Sequence, residues 1–532
     1  MMVEASPPPR PIVLQSSDDR PAITIGTSLE RMRDAAIAAL ADDPDTFQRG
    51  GSLVHIASVT KEDRARRHRL PVGTPHVVDM GRASLAVRLS RSARWIQKAK
   101  KGEGFLDVRP DKDTVGAVLE AGVWPNVRYL VGLTDAPMLR RDGSVLQTPG
   151  WDALTGYVYL PTDPFPRTPE EPTQDDARDA LVHLLEPLAD FPFASDAQRH
   201  VLVAELCTVL ARAAIDGAVP CFAHDASTRG SGKTLAADVV SLLALGKAAR
   251  ATYSDDPEEF RKVLDGYAHA GARLVCIDNV VGAIDSAALN AYITSHDLIE
   301  IRVLGKTGQL AIPWTGVLVL TGNNLDPRGD LIRRILIARL EPDCERPESR
   351  TAFRHTDLRS YVTCSRPRLV TAALTLLRAY CLAGRPDVGT GTWGSFESWS
   401  ALIPSAIAWA GGPNVLEARP DSDTERDPDT MALSTVLALL PTLSGGGGMK
   451  ARDVVATLYP SDRGGGPPDG YDDLREALET ITRTRSGMTP SGRAVGDAFR
   501  RHRGRWLDGR SLVSGSSDHK GVVWYVQARA KS

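Results

Sequence analysis

The residues best suited to chemistry stand in one loop, Ser227-Thr228-Arg229-Gly230-Ser231-Gly232-Lys233-Thr234. An apolar run, Val219 to Ala223, leads into it, and a run with helical spacing follows as far as Leu245. Strand, small-residue loop and helix in this order make a phosphate cradle. Backbone N–H groups close on an anion only where no side chain intervenes, and the helix start adds unpaired N–H groups with partial positive charge. Gly230, Ser231 and Gly232 supply the small positions, Lys233 would reach the outer phosphates, and the Thr234 hydroxyl would complete a Mg²⁺ shell. Ser227 stands where the pattern G-x-x-x-x-G-K-[ST] asks for its first Gly. A plain Gly-Ser-Gly turn ahead of an ordinary helix fits the same letters. The flanking strand and helix favour a nucleotide site.

Four further groups bear on what such a site would do. The apolar run Leu274–Ile277 ends in Asp278, the position from which an acid holds Mg²⁺ through water. A strand ending in Asp is also common by chance. Thr321-Gly322-Asn323-Asn324 closes the apolar run Gly316–Thr321; an amide there can orient an attacking water, and equally can make a strand-to-turn pair. Arg333 and Arg334 follow, suited to spread negative charge on a transferring phosphoryl group, or to an exposed helix face. Between Asp278 and Asn323, Ile301–Leu304 and Gln309–Ile312 flank Gly305-Lys306-Thr307-Gly308, which reads as a hairpin with Lys306 near its tip. Such a tip is either a solvated turn or a charge pointed into a channel.

The elements that must hold these groups can be drawn from composition and pattern. The chain has 532 residues, 42% hydrophobic and 24% charged, with a net charge of −2. Length predicts about three domains. The charge excludes a uniformly basic nucleic-acid coat, so such contacts need local patches. Six cysteines without metal spacing suit buried free thiols in a reducing compartment. No apolar run reaches membrane length, and the reading is a soluble, cytoplasmic protein. Residues 1–25 read as a disordered lead-in, 26–160 as an α+β domain, 161–177 as a Pro-rich acidic linker and 178–417 as an alternating α/β domain. A second linker, 418–430, precedes a C-terminal unit over 431–532.

Basic runs at Arg64, Arg66, Arg67, Arg69 and at Arg88, Arg91, Arg94, Lys98, Lys100, Lys101 read either as solvated faces or as phosphate tracks. In the second unit the order of helices and a closing β-ribbon is that of a winged helix-turn-helix. Arg493, Arg500, Arg501, Arg503, Arg505 and Arg510 cluster on and after its last helix, and Lys520 and Trp524 lie on the ribbon. Trp524 reads as core more readily than as a stacking platform.

P-loop, DN-ended strand, Lys-tipped hairpin, TGNN and paired Arg together resemble superfamily 3 helicases of the AAA+ class, in particular phage- and plasmid-encoded primase-helicase ATPases. RDGSVLQTPGWDALTGYVYLP, TGNNLDPRGDLIRRILIARL, ERPESRTAFRHTDLRSYV, GSFESWSALIPSAIAWAG and HKGVVWYV match as well. The resemblance covers residues 110–415 well and the ends loosely. It implies an AAA+ core with parallel sheet and helical lid, flanked by the α+β and winged-helix domains. It implies ATP and Mg²⁺ as ligands, with Gly230, Gly232, Lys233 and Thr234 as Walker A positions, Asp278 as the magnesium acid and Asn323 as the sensor. Arg334, with Arg333 as runner-up, takes the trans-acting finger, and Lys306 the DNA-gripping tip. A homo-oligomeric ring, a hexamer by resemblance, would enclose single-stranded or forked DNA, with a separately encoded primase as possible partner. Two departures stand out: Ser227 for Gly, and Asn279 where many such motors carry a Glu base. Glu258 and Glu259 are the substitute candidates. The rival readings are an AAA+ ATPase that remodels proteins or acts as a switch in defence or partitioning, and a small-molecule kinase, against which the paired Arg argues.

Overall fold

The computed structural model describes residues 19–61, 72–100, 104–228, 230–280, 283–302, 309–342, 347–351, 353–420, 428–460, 470–485, 487–518 and 521–528. The chain forms two compact units, residues 1–420 and 421–532.

The first unit opens with β1 (Ala22–Ile25), α1 (Leu29–Ala41), β2 (Phe47–Arg49), β3 (Ser52–Ser58), β4 (Pro75–Asp79), α2 (Arg82–Ser92), β5 (Arg94–Lys98), β6 (Phe105–Asp107), α3 (Lys112–Leu119) and β7 (Arg128–Tyr129). They build two sheets, ordered β1-β5-β6 and β4-β3-β2-β7. Ordered structure therefore starts inside the stretch expected to be a lead-in, because β1 pairs in parallel with β5. Ser28 and Asp111 cap α1 and α3 with their side-chain oxygens. Leu40, Leu85, Leu89, Trp95 and Trp124 fill the core between helices and sheet. The second basic run is partly spent within this fold: Arg88 pairs with Asp43 and Asp45, and Arg94 with Asp107. The run Arg64–Arg69 and Lys101 lie outside the described residues.

Five short strands follow, β8 (Gly132–Thr134), β9 (Met138–Leu139), β10 (Val145–Leu146), β11 (Gly150–Trp151) and β12 (Tyr157–Tyr159). The Pro-rich acidic stretch after them is held down. Arg366 binds Asp163, and Arg378 donates to the Pro169 and Glu170 carbonyls. Its last residues begin α4 (Gln174–Leu185), closed by a Thr173/Asp176 capping box.

After α5 (Asp196–Leu210) come β13 (Cys221–Ala226), α6 (Lys233–Leu245), β14 (Ala251–Thr252), α7 (Pro257–His269), β15 (Leu274–Val280), β16 (Ala283–Ile284), α8 (Ala287–Ile293), β17 (Leu298–Arg302), β18 (Gln309–Pro313), β19 (Val317–Asn323), β20 (Asp326–Pro327) and β21 (Ile335–Leu340). Five of these strands form one sheet, ordered β14-β15-β19-β13-β21, with every pairing parallel. Such a sheet is covered on both faces, and its strands are correspondingly apolar runs. Four strands fall within three residues of their expected bounds. The first does so too, but it begins at Cys221 rather than Val219 and continues through His224 and Asp225, which look like loop residues but are buried. Two long helices, α9 (Leu358–Leu382) and α10 (Glu397–Trp409), complete the layer.

The second unit comprises α11 (Pro428–Leu443), β22 (Met449–Lys450), α12 (Ala451–Leu458), α13 (Asp472–Thr482), α14 (Gly492–His502), β23 (Trp506–Leu507), β24 (Arg510–Asp518) and β25 (Gly521–Ala528). The sheet order is β22-β25-β24-β23. Gly492 lets α14 cross α12 closely, since a Cβ there would lie 3.0 Å from the Arg452 Cα. Trp524 is a core residue, 3% exposed and edge-on to Phe499.

Candidate functional site

Each strand of the five-stranded sheet ends at the same edge, and the sequence places a different polar group at three of those ends. The loop leaves β13 there. Gly230 and Gly232 take positive φ angles of 78° and 96°, which L side chains adopt at a cost. Gly232 is constrained twice over, because a Cβ would meet Phe191 Cε1 at 3.2 Å. Ser231 turns inward and donates to the Thr228 carbonyl at 2.5 Å, which closes the loop on itself. Ser227 sits exposed at the loop's start. Lys233 and Thr234 then open α6.

Strand β19 lies between β13 and β15, so its end stands between the loop and Asp278. Lys233 Nζ donates to Asn323 Oδ1 at 2.6 Å. Thr321 Oγ1 donates to Asp278 Oδ1 at 2.5 Å and accepts the Asn279 backbone N–H at 3.1 Å. Lysine with amide, and hydroxyl with carboxylate, thus make two hydrogen-bonded pairs, both held on the end of β19. This is where an open parallel sheet places its ligands, at the crevice where strand order reverses. Burial pushes the Lys233 ammonium below its ordinary value, while Asp225 and Asp278 pull it back up.

Asn279 has a local explanation. It takes φ 58° at a register shift between Ile277 and Val280. Asn is among the few L residues that tolerate this region, and a bulge re-aims the side chain beside it. The residue following the acid makes the turn that presents Asp278. Glu258 and Glu259 are not brought to this group. They sit in the first turn of α7 just beyond β14, one strand from Asp278 in the sheet order, and Glu259 is paired with Lys262 rather than with this group.

Sequence reasoning missed a charge cluster beneath Asp278. Asp238 on α6 is 2% exposed, accepts Arg250 Nη2 at 2.8 Å on both oxygens, and takes Arg359 from α9 at 2.6 Å. Arg250 also approaches Asp278, with Nη1 3.8 Å from Oδ2. Within β13, His224 pairs with the fully buried Glu205 at 2.7 Å, and Asp225 receives the Leu325 N–H and Arg339. No spacing rule links these partners along the sequence.

Arg333 and Arg334 lie at the other edge. They precede β21, whose first residue pairs with Cys221, whereas the loop follows Ala226; five residues of strand separate the two edges by about 17 Å. Neither can reach the loop of its own chain. Arg334 is 21% exposed and donates to Asn290 Oδ1 at 2.8 Å and Asp330 at 3.2 Å, while Arg333 is 71% exposed and bound only to Asp330 among these partners.

The hairpin is present as β17 and β18, antiparallel with Arg302 opposite Gln309. Its tip, including Lys306, lies outside the described residues, as does Lys520. In the second unit Arg500, Arg501, Arg503 and Arg505 are all exposed. Arg501 and Arg505 are tied to the Ile481 carbonyl and the Thr430 hydroxyl, and Arg503 reaches Ser514 on β24. Asp497 is the acid on this face and pairs with Arg500.

As for ligands, Thr234 and Asp278 offer a hydroxyl and a carboxylate, the hard oxygen donors Mg²⁺ takes alongside substrate phosphates. One Asp278 oxygen is fixed by Thr321, and the other, 3.8 Å from Arg250 Nη1, is the one that would serve. The donor set fits. Among the described residues no helix is long and apolar enough to cross a membrane. Of the cysteines, Cys207, Cys221 and Cys276 are buried free thiols, with burial pushing Cys207 up to about 12.

No family model and no curated protein matches the chain. Among solved structures, the apo A form of the NrS-1 C-terminal region aligns over 83% of this chain and 98% of its own length, with 12% identity and a TM-score of 0.35. The JCV helicase aligns over 51% of this chain and 64% of its own, with 14% identity and a TM-score of 0.20. Both are loose likenesses, at identities where side-chain roles do not transfer.

Proposed function

We propose that this chain is an ATP-dependent DNA helicase or translocase of a phage, plasmid or integrated mobile element, acting in DNA replication as a ring-shaped oligomer. The observation that carries the reading is that the end of β19 supplies both Asn323, which holds Lys233, and Thr321, which holds Asp278, at one sheet edge. A phosphate cradle alone serves many chemistries. A cradle whose lysine touches an amide on the next strand, itself beside a strand-end acid, suits hydrolysis of a terminal phosphate.

In this reading the N–H groups of residues 230–233 hold the phosphates of ATP. Lys233 leaves Asn323 for the outer phosphates, and the released amide orients the attacking water. Mg²⁺, when bound, draws charge from those phosphates; Thr234 and Asp278 hold it. Asn279 cannot accept a proton, so in this reading Asp278 takes the larger part in hydrolysis. Arg334, or Arg333, serves the loop of a neighbouring copy, which accords with its position on the far edge of its own sheet. That arrangement requires a ring, hexameric by the resemblance. Lys306 on the hairpin tip contacts a single strand passing through, and Arg500, Arg501, Arg503, Arg505 and Lys520 of a winged-helix unit contact the backbone of forked DNA. A separately encoded primase would complete such a machine.

An AAA+ ATPase that remodels proteins or acts as a switch would use the same core, and dependence on DNA separates the two. ATP turnover is measured with and without single-stranded DNA in wild type, Lys233→Ala and Lys306→Ala. DNA should stimulate the wild type, Lys233→Ala should be inactive, and Lys306→Ala should lose the stimulation while keeping basal turnover. An unstimulated wild type with an unaffected Lys306→Ala variant would sink the DNA reading.

A further inference from the structure

The turn between β2 and β3 packs against the β17–β18 hairpin at its root. Arg49 stands opposite Ser52 across Gly50-Gly51, and both glycines take positive φ, 54° and 73°. That is the two-residue hairpin turn for which glycine carries no steric cost. Position 50 bears a second constraint. A Cβ there would lie 2.6 Å from Ile312 Cγ2 and 3.0 Å from the Ala311 carbonyl oxygen, both on β18. The bare backbone of the turn therefore rests directly on that strand.

The neighbouring Arg49 grips a different element. It is 5% exposed, and its guanidinium donates to the His269 carbonyl at 2.6 Å and the Ala268 carbonyl at 3.0 Å. These are carbonyls of the last turn of α7, where a cation is favoured. Helix α7 in turn holds the hairpin from its other side. Asp265 accepts the Arg302 N–H at 3.4 Å, and Arg261 donates to the Glu300 carbonyl at 3.1 Å. Asp265 is itself fixed by the Tyr292 hydroxyl at 2.6 Å. The same helix starts just beyond β14, whose Thr252 is in register with Asp278. Helix, hairpin and turn thus close a loop of contacts that begins beside the candidate nucleotide edge and ends at Arg302, the last described residue before the hairpin tip.

We propose that the Arg49-Gly50 turn is a positioning element that locks α7 and the β17–β18 hairpin into one body, so that movement at the β14–β15 edge is delivered to the hairpin tip. This gives the N-terminal region a role in the motor. Its DNA consequence rests on the proposed reading of the hairpin; the mechanical claim rests on the contacts alone.

Hydrogen exchange on the full chain tests the clamp, with Gly50→Ala and Arg49→Gln as variants and Arg49→Lys, which keeps a cation at the carbonyls, as a rescue. Amides of residues 298–302 and 309–312 should exchange about tenfold faster in the first two variants, with β13 and α9 unchanged and Arg49→Lys intermediate. The half-saturating concentration of single-stranded DNA should rise about tenfold while the KM for ATP stays within about twofold. Hairpin exchange at the wild-type rate in both variants overturns the proposal, and so does faster exchange spread evenly over the first unit. Faster hairpin exchange with an unaltered DNA response refutes delivery to the tip. A wild type with no DNA response at all counts against the DNA-motor reading, and the exchange rates then decide the clamp by themselves.

Discussion

Replacing Asn323 by Ala should separate binding from hydrolysis in opposite directions. Lys233 Nζ donates to Asn323 Oδ1 at 2.6 Å, and a hydrogen bond involving a charged group contributes about 1.5–3 kcal/mol. A triphosphate that recruits Lys233 must first take it from this partner. Removing the amide lifts that competition, and at the low end of the range nucleotide should bind about tenfold tighter. Turnover should fall about 100-fold, the scale on which loss of one oriented polar group acts at a reacting centre. Asn323→Asp should do the reverse to affinity. A carboxylate at the same distance holds the ammonium more firmly, so binding weakens and the order becomes Ala, wild type, Asp. Fluorescent-nucleotide titration gives the affinities and single-turnover phosphate release gives the rates. If Asn323→Ala weakens binding and turnover together, Lys233 is not held in competition by Asn323, and the reasoning from this contact fails.

Gly232→Ala should lower nucleotide affinity at least about tenfold, since left-handed strain of about 1–2 kcal/mol adds to the contact with Phe191; the same titration checks it. Lys233→Ala and Arg334→Ala subunits, each inactive alone, should regain turnover when mixed, up to about a quarter of wild type at equal amounts if each site spans a head-to-tail interface. No recovery at any ratio would count against shared sites. Trp524→Ala should destabilise the second unit by about 3–5 kcal/mol, the cost of emptying a core position, with Trp524→Phe much milder; denaturant unfolding of the full chain followed by proteolysis reads this.

The parallel sheet was legible because its strands are unbroken apolar runs, as Leu274–Ile277 and Ile335–Leu340 illustrate, and because a sheet buried on both faces needs such runs. The late end of β13 has the opposite cause. His224 and Asp225 read as loop residues, yet each meets a hydrogen-bond partner supplied from elsewhere, Glu205 from α5 and Arg339 from β21. Periodicity carries no record of such pairs. The candidate site shows the same division. Asp278 and Asn323 each end an apolar run and Lys233 follows a small-residue loop, so pattern finds them. The Asp238–Arg250–Arg359 cluster and the Arg49-Gly50 clamp join residues far apart in the chain, and only the fold brings them together. Asn279 looked like a lost base in the sequence; the backbone angle at that position gives it a geometric task instead.

Unwinding of a forked DNA duplex tests the central claim most directly. The full chain with ATP and Mg²⁺ should displace the labelled strand, and should fail to do so with Lys233→Ala or with a non-hydrolysable analogue. Rapid ATP hydrolysis without displacement or movement on any single-stranded or forked DNA would contradict the claim that this site drives a DNA motor.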